Sequence, residues 1–247
     1  VRKLIKYILV AATLIACKPE NQKDCFKGNG KIITTTRSLS EFKEVVLNDY
    51  IDYEIIPSTG YKIEITAGEN LMSNIVASID NYSLTIENKN RCNFVRGYKH
   101  YPSIKIFMPK LKTLYHQGVG KTKISSDFNQ DSIFIVGENS GDVYLSGAYN
   151  FVRTSSHGNT NIHFNGTSKE LTSYLKGTNF LYAEDAKISQ DINVTSISIG
   201  DVYLRAQPTA SLVVNLQRDG NVFYSGNPVI ILDKSEGNQK GKLIKND

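Results

Sequence analysis

Three groups of side chains could carry chemistry: three cysteines, four histidines and a Gly-Val-Gly-Lys-Thr run. Cys17 closes Leu14-Ile15-Ala16-Cys17, an apolar residue, a tolerant position and a small residue before a thiol. That is the pattern of a bacterial lipobox, whose thiol accepts a lipid. Upstream stand Arg2, Lys3 and Lys6, then an apolar run from Tyr7 to Ala16. The run is too short to span a bilayer as a helix and has signal-peptide length. Residues 1–16 are therefore expected to be a lipoprotein signal peptide. Cys17 is expected to carry the lipid, with palmitate among its acyl chains, and to tie the protein to the outer membrane of the cell envelope. Cys25 and Cys92 remain. In an oxidising compartment they form a disulfide that pins the N-terminal arm to the body, or stay as two free thiols.

The other reactive groups lack the spacing that chemistry needs. His100, His116, His157 and His163 show no metal-ligand pattern, and no Cys-x-x-Cys occurs, so neither a metal nor a cofactor is expected. Gly118-Val119-Gly120-Lys121-Thr122 matches the end of a phosphate-binding loop. Tyr115 stands where the first glycine belongs, however, and a strand pattern follows instead of a helix. No Gly-x-Ser-x-Gly elbow is present. Asp142 and Asp201 share a phase with Asn159 and Asn221 in the repeats described below, which suits turn residues better than paired catalytic carboxylates. These observations point to a protein that is not an enzyme.

Binding is the alternative, and charge marks one place for it. No Asp or Glu occurs from Asn88 to Ser126, while Lys89, Arg91, Arg96, Lys99, Lys105, Lys110, Lys112, Lys121 and Lys123 all do. Tyr98, His100, Tyr101, Tyr115 and His116 are interleaved. The whole chain has a formal charge of +5, and loss of Arg2, Lys3 and Lys6 brings the mature protein close to neutral. Gathered on one face, the basic stretch would focus a field on an anionic glycan or lipid headgroup. Dispersed among acids from elsewhere, it is an ordinary solvated surface. Nucleic acid is not an expected partner of an exported protein.

The elements that position these residues are strands. Gly (18) and Asn (22) together far outnumber Ala (10), a balance of tight turns and not of helices. Residues 18–30 read as a polar tether. Period-two alternation marks strands at 51–55, 61–65, 82–86 and 104–108, the last stopped by Pro109. Glu69 to Ile79 is the one candidate for a short helix. The second half repeats. Gly141-Asp142-Val143-Tyr144-Leu145 returns as Gly200-Asp201-Val202-Tyr203-Leu204 and as Gly220-Asn221-Val222-Phe223-Tyr224, with weaker copies near Ile162 and Gly177. A second strand precedes each glycine, at 133–136, 171–175, 192–199 and 212–216. Ile124, Leu145, Phe164, Tyr182, Leu204 and Tyr224 are then equivalent, at spacings of 21, 19, 18, 22 and 20. Such a period fits one turn of a right-handed single-stranded β-solenoid, with an antiparallel meander of similar hairpins as the competing arrangement. In the solenoid, Val143/Leu145, Ile162/Phe164, Phe180/Tyr182, Val202/Leu204 and Val222/Tyr224 face inward. Tyr144, His163, Leu181, Tyr203 and Phe223 stack into an outward column. That column is a second candidate binding surface, unless residues 31–110 pack over it.

Three segments resemble the head GIN domain family, which is described as auto-transporter adhesins of exported bacterial proteins. They are Arg37 to Val45 with the strands and Ala67-Gly68-Glu69-Asn70-Leu71 that follow; Ile104 to Leu114 running into Gly118-Val119-Gly120; and the Gly-Asp-Val-Tyr-Leu repeat with its ending Tyr224-Ser225-Gly226-Asn227-Pro228. The resemblance spans roughly residues 28–245. It implies an all-β, solenoid-like domain over 31–245, with its N-terminal strands on the same core, and a binding or adhesion role in the cell envelope. It supplies no catalytic or ligand residues to carry over. A structural envelope protein packing on partners is the runner-up, and a polysaccharide-acting β-helix enzyme comes third.

Overall fold

A computed structural model describes residues 28–91, 101–235, 237 and 239–246. The expected signal peptide, Cys17, Cys25, Cys92, Arg96 and Lys99 lie outside the described residues. Apart from one 3-10 turn, every regular element described is a strand.

The regular part is a β-solenoid of about seven turns built from two facing stacks of strands. Face A stacks β9 (Thr122–Ile124), the first parts of β11 (Val143–Gly158), β12 (Ile162–Gly177) and β13 (Leu181–Ser198), then β14 (Val202–Ala206), β16 (Val222–Gly226) and β18 (Leu243–Lys245). Face B stacks β8 (Thr113–His116), β10 (Asn129–Gly137), the later parts of β11, β12 and β13, then β15 (Ser211–Leu216) and β17 (Ile230–Asp233). All these pairings are parallel, which removes the antiparallel meander.

The N-terminal strands extend the same stacks out of chain order. On face B, β2 (Glu44–Leu47) lies between β6 (Ser83–Asn88) and β8. On face A, β3 (Asp52–Pro57) lies between β7 (Ser103–Met108) and β9. Antiparallel strands finish this end: β4 (Lys62–Gly68) on β7, β1 (Ile32–Ser38) on β4, and β5 (Ile75–Asp80) on β6. The described residues of 31–110 therefore lengthen the sheets, and none of them covers the outward column of face A. The helix expected over Glu69–Ile79 is a 3-10 turn at Met72–Asn74 followed by β5. Arg37 on β1 donates to Ile75 O at 2.8 Å and Met72 O at 3.1 Å, holding that turn, and Ile75 and Val76 enter the sheet, where β-branched side chains are favoured.

The inward side chains form one apolar core. Val143, Leu145, Ile162, Phe164, Val202, Leu204, Val222 and Tyr224 are buried as expected. Each fully buried aliphatic or aromatic side chain contributes about 1.5–3 kcal/mol. In the fourth copy the phase differs by one residue. Leu181 and Ala183 are buried, whereas Phe180 and Tyr182 are only half-buried on the outside. The turn explains the correction. Asn179, not Gly177, occupies the repeat's glycine position. Its buried amide donates to Lys176 O at 3.0 Å, so the strand begins two residues later, at Leu181. Asn161, not Asn159, likewise belongs with Asp142, Asp201 and Asn221; it donates to Asp142 Oδ1 at 3.0 Å.

The repeat glycines are set by close approach between turns. A Cβ on Gly200 would lie 2.1 Å from Asn179 O, and one on Gly220 2.2 Å from Gly200 O. No side chain fits at such distances without a shift of the backbone.

Candidate functional site

The turns and strands together line up one column on face A. The register pairs Tyr144 with His163, His163 with Tyr182, Tyr182 with Tyr203 and Tyr203 with Phe223. Of the sequence-derived set, Tyr144, His163, Tyr203 and Phe223 stand where expected. Leu181 does not: it points into the core, and Tyr182 takes its place in the column.

The five rings are stacked. Centroid separations are 4.4 Å (Tyr144–His163), 4.6 Å (His163–Tyr182), 5.4 Å (Tyr182–Tyr203) and 5.3 Å (Tyr203–Phe223), and the planes differ by 2–12°. The spacing is close to that of neighbouring strands in a sheet, about 4.8 Å. Rings lying side by side in one plane could not come so close. Each ring therefore presents its face to its neighbours and its edge to solvent. The terminal face of Tyr144 is taken as well, with Lys121 Nζ 5.1 Å from the ring centroid. At the other end Phe223 pairs with Ile244 of β18. The result is a straight ridge of ring edges and hydroxyls about 19 Å long over four strand spacings.

Polar side chains and Phe180 border the ridge. On one side run Asp142, Asn161, Phe180, Asp201 and Asn221: Phe180 stacks on Tyr182 at 5.9 Å, and side-chain bonds join Asn161 Nδ2 to Asp142 Oδ1 and, at 3.2 Å, Asn221 Nδ2 to Asp201 Oδ1. On the other run Ser146, Asn165, Arg205 and Ser225, in register along the stack. Desolvation between its neighbours pushes the His163 imidazole below its ordinary range; Asp142 and Glu184 oppose this and Lys121 adds to it. His163 is thus neutral at pH 7. Desolvation, reinforced by Asp142, Glu184 and Asp201, raises the phenol of Tyr182; desolvation and Asp201 raise that of Tyr203. Both hydroxyls keep their protons and can donate.

Residues 41–228 match the family described as "Putative auto-transporter adhesin, head GIN domain". The chain belongs to the head GIN domain family. Solved structures share its fold. A "putative adhesin" from Bacteroides fragilis superposes with a TM-score of 0.74 at 20% identity, covering 87% of this chain and 97% of that one. A "putative adhesin" from Parabacteroides distasonis gives 0.67 at 18% identity, covering 89% and 98%. A "putative lipid binding protein" from the same species gives 0.59 at 20% identity, covering 87% and 98%. None of the curated proteins matches the chain.

In this head GIN domain the basic stretch is divided. Lys105, Lys121 and Lys123 share a recess of about 350 Å³ on face A, beyond the Tyr144 end of the ridge. Lys110 and Lys112 border another recess with Glu41 and Lys43, and Lys112 Nζ lies 3.8 Å from Glu44. Lys89 pairs with Glu87 at 3.2 Å, and Arg91 is exposed just after β6. Acids of the N-terminal strands thus face several of these cations. The histidines also separate. His116 is fully buried, with Nδ1 3.0 Å from Thr122 Oγ1, and Nε2 without a hydrogen-bond partner. His157 sits on face B, 3.0 Å from Ser155 Oγ. Gly118 and Gly120 pack against the backbone of Asp49 and Ile51 in a turn, and β9 follows, so the Gly-Lys-Thr run cradles no phosphate. Among the described residues, no three His, Cys, Asp or Glu side chains are grouped to hold a metal.

Proposed function

We propose that this head GIN domain is a non-catalytic binding module of the cell envelope that grips an extended carbohydrate along the ring ridge of face A. One observation carries the reading: five stacked rings, Tyr144 to Phe223, form a ridge that no described residue covers, bordered by amides, hydroxyls and carboxylates. Its repeat of about 4.8 Å is close to the length of one pyranose in an extended chain. Successive sugars can then meet equivalent groups on successive strands. Because ring faces are covered, contact is to ring edges and tyrosine hydroxyls, with hydrogen bonds from Asn161, Asn165 and Asn221.

A glycan array tests this with the full chain and a Tyr182→Ser/Tyr203→Ser variant. Binding to at least one glycan that the variant loses is the expected result. Absence of binding on the whole array counts against the reading. Anchoring belongs to the same proposal: Cys17 would carry the lipid that holds the domain at the outer membrane. Cys17→Ser should release the protein from the membrane fraction.

A second reading, a structural envelope protein that packs on a partner, is favoured by the last turn. Val229, Ile230, Ile231 and Leu232 are 45–69% exposed on and beside β17, which pairs only with β15 among the described residues. Light scattering of the wild type and Ile230→Lys separates the two readings: assemblies that this change dissolves would favour packing.

A further inference from the structure

We infer that Lys121 and Lys123 form a subsite for the acidic group of a uronate-containing polysaccharide lying on the ridge, an inference that rests on the carbohydrate reading above. Register places Lys123 beside Tyr144, in the same column as the rings. Lys121 stands one position before the paired strand and lays its ammonium over the Tyr144 ring. The two cations therefore sit at the end of the ridge, where a sugar in contact with Tyr144 puts its ring substituents.

These lysines are available to a ligand and their neighbours are not. Neither has an ion pair within 4.0 Å among the described residues. Lys105, which shares the recess, is already 3.4 Å from Glu54. Asp52, the other acid there, accepts the backbone N–H of Lys121 at 2.9 Å. Three lysines against two carboxylates leave the recess one net positive charge, at the end of the ridge.

The rest of the ridge selects against an anion. Glu184 and Asp201 act on its central rings, as their upward pull on the Tyr182 phenol shows, and Asp142, which precedes Tyr144, turns its carboxylate to Asn161 at 3.0 Å. A polyanion charged at every sugar would meet these carboxylates. A chain with its acid at the Tyr144 end, and neutral sugars over Tyr182 and Tyr203, meets complementary charge throughout. The preferred ligand is therefore a polysaccharide that alternates or terminates in a uronate, not a uniformly acidic one.

The test compares oligosaccharides of one backbone with a single uronate, free or as its methyl ester, by calorimetric titration of the full chain. The wild type should bind the free acid about five- to tenfold more tightly than the ester at low salt, as expected for two exposed ion pairs. Raising the salt should erase that preference. Lys123→Gln, which leaves the Lys121–Tyr144 contact in place, should lose most of the preference for the acid while keeping the ester affinity of the wild type, which also shows that it folds. Equal wild-type binding of acid and ester, lost in the Tyr182→Ser/Tyr203→Ser variant, overturns the subsite and leaves the carbohydrate reading standing. Binding of neither sugar, with binding to vesicles containing anionic lipid, overturns both.

Discussion

Acidification should weaken this fold through His116. The imidazole is fully buried beneath the first regular turn, with Thr122 on one side and the backbone of Gly120 and Gly141 on the other. Desolvation pushes its pKa down to about 4 from the ordinary 6.5, although Asp142 and the Gly120 backbone pull the other way. The folded pKa lies below the unfolded one. The contribution of the neutral ring is therefore complete above pH 6.5 and is lost as pH falls from 6.5 towards 4. The gap corresponds to about 3 kcal/mol, of which about 2.5 kcal/mol is gone by about pH 4.5. Other groups titrate in the same range, so the wild type is compared with His116→Gln, which keeps a polar side chain and removes the titration. Guanidinium unfolding of both proteins at pH 7.5 and pH 4.5 isolates the contribution of the ring. The stability of the wild type relative to the variant should fall by about 2.5 kcal/mol between the two pH values. A relative stability constant within about 0.5 kcal/mol would show that the ring is not held neutral by burial.

Three further outcomes follow from the same geometry. Gly200→Ala drives a methyl into Asn179 O and should cost about 1–3 kcal/mol in unfolding free energy, whereas Gly60→Ala, with open space around the glycine, should change it by less than about 0.5 kcal/mol. Leu204→Ala opens the buried core of the solenoid and should cost about 2–5 kcal/mol by the same measurement. The His163 imidazole should titrate below its ordinary value in NMR spectra. Asp142→Asn should lower it further, because that carboxylate supports the protonated ring.

Much of this was readable from residue order. The alternation in Gly-Asp-Val-Tyr-Leu and its copies assigns a face to every side chain, and so placed Tyr144, His163, Tyr203 and Phe223 correctly. It failed for Tyr182 because Gly177 imitates the repeat glycine. Gly177 in fact pairs with Gly158 at the end of the face B strand, and Asn179 makes the turn. An asparagine can take a glycine position when its side chain finds carbonyls to bond, and spacing alone does not show that. The orientation of the rings was equally hidden, since period two gives the face of a sheet but not the plane of a ring. The position of β2 and β3 between later strands was out of reach for a different reason: alternation identifies strands without naming their neighbours. The basic stretch is contiguous in sequence, yet it divides because β7 and β9 lie on face A while β8 lies on face B.

The proposed contact surface is the ridge from Tyr144 to Phe223. Selective labelling of tyrosine and phenylalanine rings, followed by NMR titration with the best ligand from the array, tests it most directly. Signals of Tyr182, Tyr203 and Phe223 should move and saturate together, while those of Tyr115 and Tyr174 on face B stay in place. Saturable shifts confined to face B, with the ridge signals unmoved, would contradict the account.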